Sequence, residues 1–225
     1  MCFFATKSSM KIRMKRKLAV VLLICISCHI GWAAQDFVWK SGQNMKVVCD
    51  TTEAPVVKVA LDLLKRDCRS VLSGEISRSE NTGNIYVGTW GESSVLQALA
   101  DTRQLDVAQL DEHREAFLLN VLPDGRLVVA GSDKRGTAYG VLELSRMMGV
   151  SPWEWWADAV PEKKEEFCLP AGFRKLEYPQ VAYRGIFIND EDWGLTPWSW
   201  KHYEPSERKG QIGPKTHARI FELLL

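Results

Sequence analysis

Asn189-Asp190-Glu191-Asp192 places an amide and three carboxylates in consecutive positions, directly after a run at 181–188 that is apolar except at Arg184 and Gly185. Carboxylates do general acid–base work when they are positioned against a reacting bond. Successive side chains of a strand point to opposite faces, so Asp190 and Glu191 cannot bracket a bond by themselves. A second carboxylate must come from another strand. The loop that follows adds the aromatic faces of Trp193, Trp198 and Trp200, and the cations Lys201, His202 and Arg208. Cations of this kind suit an anionic partner such as a carboxylate. Each feature also has a plainer reading: acids solvated at a strand exit, tryptophans packing the loop onto its neighbours, and cations in open water.

A buried parallel strand that ends in acids is the pattern of a (β/α)8 barrel, whose active site gathers at the C-terminal ends of its strands. Residues 214–225 then read as a helix, with Ile220, Phe221, Leu223, Leu224 and Leu225 forming an apolar face that has no counterpart in the sequence. A barrel takes ~250 residues, and only 45 follow Gln180. The expectation is therefore the first β/α unit of a truncated barrel.

The elements before it read as a helper domain. Strands are expected around 37–40 and 46–50. A helix starts at Pro55, with Val56, Val59, Ala60, Leu63, Leu64 and Val71 at helical spacing and Gly74 as its stop. Strands at 75–78 and 84–88 and a helix at 93–102 follow. A hairpin comes next, 116–122 and 127–130, turned by Pro123-Asp124-Gly125. Ser132 or Asp133 caps a helix running to Met148, which Gly149 ends. A short strand at 166–169 precedes turn material at Pro170 and Gly172. This order implies one sheet of mixed direction with helices packed on it.

Residues 1–34 read as an export signal: a basic stretch from Lys11 to Lys17, an apolar run at 18–26, and small residues at Gly31, Ala33 and Ala34. No lipid anchor is expected at Cys28. The six Lys and Arg of that segment stand against no acid. The remainder keeps 23 basic and 28 acidic side chains, a formal charge of −5, which argues against a nucleic-acid partner. Cys49, Cys68 and Cys168 form neither a disulfide framework nor a metal-ligand spacing, and are read as small core residues. No cofactor or metal is expected.

Three stretches carry a resemblance: Gly131-Ser132-Asp133-Lys134-Arg135-Gly136-Thr137-Ala138-Tyr139-Gly140, then Gly149 through Asp158 with Trp153, Trp155 and Trp156, then Tyr183-Arg184-Gly185-Ile186-Phe187-Ile188-Asn189-Asp190-Glu191. In this order they resemble glycoside hydrolase family 115, the xylan α-1,2-glucuronidases. The resemblance implies a helper domain, a barrel with its site at the top, and inverting removal of (4-O-methyl)glucuronic acid from glucuronoxylan or its oligosaccharides. It further implies that Asn189 and Asp190 belong to the sugar site. Glu191, Trp193 and Trp198 are taken with them as substrate-binding, and the catalytic acid and base are left unassigned. Flat tryptophan faces suit the C–H faces of sugars. Arg184 lies roughly 20 Å before Asp190 at strand rise, so an ion pair is expected for it instead of a substrate. Trp153, Trp155 and Trp156 are read as joining helper domain to barrel, with a second sugar surface as the alternative. The glycines at 131–140 lack phosphate-loop spacing and are read as packing the helix start against the sheet.

The reading is thus an α/β protein: an α+β-like helper domain with a mixed sheet and packed helices, followed by the start of a TIM barrel. Its divisions are a signal at 1–34, the helper domain at 35–160, a linker at 161–180 and the barrel start at 181–225. The protein is expected to be exported to the periplasm or beyond, and free of the membrane after cleavage. The fragment alone is expected to be inactive, and the parent protein to form a homodimer. The alternatives are a non-catalytic carbohydrate- or partner-binding module and a hexosaminidase-like hydrolase.

Overall fold

The computed structural model describes residues 33–187, 194–205 and 209–223. The chain divides between Ala33 and Ala34, and every element below lies in the second unit, Ala34–Leu225. The strands are β1 (Phe37–Lys40), β2 (Asn44–Cys49), β3 (Glu75–Ser79), β4 (Ile85–Thr89), β5 (Phe117–Val121), β6 (Leu127–Gly131), β7 (Glu166–Leu169) and β8 (Arg174–Glu177). The helices are α1 (Pro55–Leu72), α2 (Ser94–Asp101), α3 (Lys134–Met148), α4 (Glu154–Ala157), α5 (Leu195–Trp198) and α6 (Pro214–Glu222). A 3-10 turn spans Ala108–Leu110 and a π turn Ser199–Tyr203.

Six strands form one sheet in the order β3-β2-β4-β6-β5-β8. β3, β2, β4 and β6 run parallel, while β5 is antiparallel to both β6 and β8. Strand side chains alternate between faces, and here both faces are apolar and covered. Leu127 and Val129 of β6 join Phe117, Leu119 and Val121 of β5 against α1 and α3. Val128 and Ala130 join Leu118 against Leu96 and Leu99 of α2 and Leu110 of the 3-10 turn. A side chain such as Leu64 or Leu118, fully buried, contributes about 1.5–3 kcal/mol over the exposed state.

Several expectations are revised. β1 leaves the main sheet and pairs antiparallel with β7 in a separate ribbon, because Phe37, Trp39, Phe167 and Leu169 add a flap to the core on the α1/α3 side. Residues 161–180, expected as a linker with one strand, hold two, and β8 closes the edge of the main sheet. The buried stripe of α1 is Val57, Ala60, Leu64, Cys68 and Val71, with Val59 exposed. Of the expected apolar face, Ala60, Leu64 and Val71 are buried, while Val56, Val59 and Leu63 are not, and Val57 and Cys68 complete the buried stripe instead. Ser73, not Gly74, takes the left-handed conformation that ends α1. Cys49 and Cys68 are buried as expected, but Cys168 is exposed, since β7 turns Phe167 and Leu169 inward.

The strand expected at 181–188 is absent among the described residues: 181–187 carry no regular structure. A parallel strand exists only through pairing with a neighbour, and no described strand lies beside this one. The final helix forms as expected at Pro214–Glu222.

Candidate functional site

The glycine-rich stretch at 131–140 is a joint between sheet and helix. Asp133 caps α3 by accepting from the backbone N–H groups of Arg135 and Gly136 at 3.0 and 2.9 Å. Its other oxygen accepts from the N–H of Glu115 at 2.9 Å. A Cβ on Gly136 would lie 2.0 Å from the Ala116 carbonyl oxygen, so only glycine lets the helix start this close to β5. Thr137 hydroxyl meets the Thr89 hydroxyl at 2.8 Å. Thr89 in turn donates its N–H and hydroxyl to the buried Glu53 at 3.0 and 2.9 Å.

Glu115 is the residue this joint holds out. It is buried and in the left-handed region, φ 54°, an uncommon state for a non-glycine residue. One oxygen takes Arg135 Nη1 at 2.9 Å and the other takes Arg184 Nη2. These hydrogen bonds, Arg184 first and then Arg135, hold its carboxyl below the usual glutamate range. Arg184 also reaches the Tyr139 hydroxyl at 3.4 Å and the Val181 carbonyl at 2.7 Å. The ion pair expected for Arg184 is therefore present, and its partner lies in the turn just before β5.

The second joint is aromatic. Trp155 and Trp156, from the Trp-rich connection, meet Trp198 and Tyr203 from the later loop. Trp198 stacks on Trp156 with centroids 5.3 Å apart and on Tyr203 at 4.9 Å, while Trp155 meets it edge-on at 5.6 Å. Arg219 of α6 ion-pairs with Glu154 at 2.8 Å and lies over the Trp155 ring. Trp155 and Trp156 thus tie the connection to the loop after residue 193.

Glu204, which no local sequence signal marks, anchors the far end of that loop. It is buried and accepts from the backbone N–H groups of Lys215 and Thr216 at 3.1 and 3.0 Å, and from the Thr216 hydroxyl at 2.8 Å. It therefore caps α6 from outside the helix. Burial pushes its carboxyl up, but the donors from Thr216, Lys215 and Ser199 outweigh this and leave it below the usual range.

Of the expected sugar-site residues, Asn189, Asp190, Glu191 and Trp193 lie outside the described residues, as does Arg208. Trp198 is described, and its ring is engaged by its aromatic neighbours instead of standing open. Lys201 lies over the Trp200 ring. The buried carboxylates among the described residues are committed: Glu53 to Thr89, Asp67 to Arg66, Glu115 to two arginines, Glu143 to Arg146 and Lys175, and Glu204 to α6. Inversion needs two carboxyls about 6.5–9.5 Å apart flanking a sugar. Each of the five buried carboxylates just named already has its own partners among the described residues. No cluster of three or more potential metal ligands occurs among them.

A solved structure described as "a novel family GH115 4-O-methyl-alpha-glucuronidase, BtGH115A, with specificity for decorated arabinogalactans" matches 84% of this chain at 58% identity, with a TM-score of 0.76. The family profile of glycosyl hydrolase family 115 matches residues 176–225. The chain belongs to glycosyl hydrolase family 115. It spans 24% of the length of that solved family-115 protein. Two further structures match at 16% and 15% identity: CpGH84D, over 62% of this chain and 22% of its own with a TM-score of 0.40, and a GH20 exo-β-N-acetylglucosaminidase from Vibrio harveyi, over 67% and 18% with a TM-score of 0.40. No curated protein matches.

Proposed function

We propose that this chain is the N-terminal part of a glycoside hydrolase that removes (4-O-methyl)glucuronic acid side chains from a plant polysaccharide, and that it is inactive alone. The observation that carries the reading is the 58% identity to a 4-O-methyl-α-glucuronidase over 84% of the chain. That relative is described as specific for decorated arabinogalactans, while the sequence resemblance points to xylan. The shared chemistry is the uronic acid side chain. In this reading residues 1–34 export the protein, the helper domain supports a barrel that starts at 181, and Asn189, Asp190, Glu191 and Trp193 lie at its sugar site. Trp198 serves that site by packing the loop and not by stacking on sugar.

The helper domain is poorly suited to bind a ligand by itself. In open α/β sheets ligands enter where neighbouring connections diverge, at the C-terminal strand ends. Here that point lies between β2 and β4, and the chain's own carboxylates fill it. Asp50 accepts from Ser93 and from the N–H and hydroxyl of Ser94 at 2.8–3.0 Å, and Glu53 accepts from Thr89. This favours a supporting role over a stand-alone carbohydrate-binding module.

The test is incubation of purified residues 34–225 with glucuronoxylan and with glucuronate-decorated arabinogalactan oligosaccharides, together with a calorimetric titration. Neither release nor saturable binding is expected. Release of 4-O-methylglucuronic acid would refute inactivity, and saturable binding without release would favour the binding-module reading.

A further inference from the structure

β3 is the end strand of the main sheet, and no described strand lies beside its outer side. Glu75 gives its N–H to the Gln43 carbonyl at 3.1 Å, so Glu75, Ser77 and Ser79 turn their backbone groups to β2. The N–H and C=O of Ile76 and Arg78 then point outward. The chain leaves the sheet through β8, at the opposite edge, roughly 24 Å away at five strand spacings.

A groove of about 270 Å3 lies between that strand and α1. Lys58, Leu61, Asp62 and Lys65 line its helix side, at a spacing that shares one helix face. Ile76 and Arg78 line its strand side, and Leu61 and Ile76, packed on the core, give it an apolar centre. Lys58, Lys65 and Arg78 make no ion pair among the described residues. Arg78 gives one N–H to the Cys49 carbonyl at 2.8 Å. Of the two acids in the groove, Asp50 is taken by Ser93 and Ser94. α1 joins the end of β2 to the start of β3, which run parallel, so it runs opposite to both. Lys58 therefore lies towards Arg78, and Lys65 about 10.5 Å farther along the helix. An edge alone is a hazard that proteins blunt. An edge beside a groove with an apolar centre and a cation at each end selects its occupant by charge and by side-chain alternation.

We propose that β3 accepts, as an added antiparallel strand, an extended segment of another protein that carries an acid two residues before and two residues after an apolar side chain. Residues directly opposite in an antiparallel pair share a face. The first acid stands opposite Arg78, near Lys58. The apolar residue stands opposite Ile76, over Leu61. The second acid follows on the same face, within reach of Lys65. The two acids span about 13 Å at strand rise, which the long lysine side chains cover from their helix positions. Asp62, between the two lysines, selects against a third acid at the centre.

The probe is the fluorescein-labelled nonapeptide STETLTETS, titrated against the chain by anisotropy. Saturable binding is expected, and it should weaken about tenfold when both glutamates become lysine. N-methylation of the leucine, whose N–H points at β3, should weaken it by about the same factor. With peptide bound, the amides of Ile76 and Arg78 should exchange about tenfold more slowly. Lys58→Glu combined with Lys65→Glu should reverse the preference, so that STKTLTKTS binds about tenfold better than the glutamate peptide. The peptide series on the unchanged chain decides independently of that variant's folding. The same binding is expected when residues 34–225 replace the matching part of BtGH115A. Absence of saturable binding, equal binding of the glutamate and lysine peptides, or indifference to the N-methyl group would each overturn the proposal. So would a folded double variant that keeps the native preference, loss of the site in the chimera, or light scattering that shows a second copy of the chain displaced by the peptide.

Discussion

Replacing Glu204 by alanine tests whether one carboxylate holds the last helix and the loop before it. In the native chain Glu204 accepts from two backbone N–H groups and the Thr216 hydroxyl at 2.8–3.1 Å. Hydrogen bonds to a charged group contribute about 1.5–3 kcal/mol, and a buried donor left without an acceptor costs about 1–3 kcal/mol. Water entering the emptied space satisfies part of that demand, so the net loss is about 2–3 kcal/mol. At 1.4 kcal/mol per decade, amides of α6 should exchange about 30- to 150-fold faster in Glu204→Ala. Glu204→Gln keeps the shape and one acceptor oxygen and should fall between. The loop and α6 stand outside both hydrophobic clusters, so the effect should be local and the melting of the sheet with its packed helices nearly unmoved. The native carboxyl lies below its unfolded value. Its stabilisation is therefore complete above about pH 4.3 and is lost as pH falls through the lower native pKa. The gap between native and alanine variant should close accordingly. Equal exchange of α6 in native and Glu204→Ala protein at pH 7 would refute the capping role.

Three further outcomes are expected. Gly136→Ala should force α3 away from the Ala116 carbonyl, costing about 1–3 kcal/mol and lowering the thermal midpoint by circular dichroism about 2–4 °C for each kcal/mol. Arg184→Ala should open 181–187 to limited proteolysis, whereas Arg135→Ala, which leaves the Arg184–Glu115 pair in place, should not. Cys168, exposed although desolvation and the neighbouring Asp36 and Glu166 push its thiol up, should react with a disulfide reagent in the native protein, and faster as the pH is raised. Cys49 and Cys68, buried and with thiols pushed up to about 11 chiefly by that burial, should react only on unfolding.

The sequence showed most clearly the elements whose signals are local. The hairpin of β5 and β6 was legible from Asp124-Gly125, where Gly125 takes φ 80°, and α3 from Asp133 at one end and Gly149 at the other. What escaped depends on contacts made across the chain. β8 has one apolar residue, Leu176, that packs on the core, too little for a period of two to stand out. The pairing of β1 with β7 spans more than a hundred residues. Arg184 was legible as an ion-pairing residue, but Glu115 lies 69 positions away. The stacking of Trp198 on Trp156 and Tyr203 could not be read from the local sequence, because Trp156 comes from a different stretch of the chain. The 181–188 pattern reads as a strand, yet pairing and not pattern decides whether one forms.

The most direct test of the account exchanges the matching N-terminal part of BtGH115A for residues 34–225 and measures release of 4-O-methylglucuronic acid from a decorated polysaccharide. The expected result is a folded chimera with activity within about tenfold of the parent, since the retained interior would cost no more than about 1.4 kcal/mol at the transition state. A folded, monodisperse chimera that releases no uronic acid would contradict the claim that this chain is the supporting front of a family-115 glucuronidase.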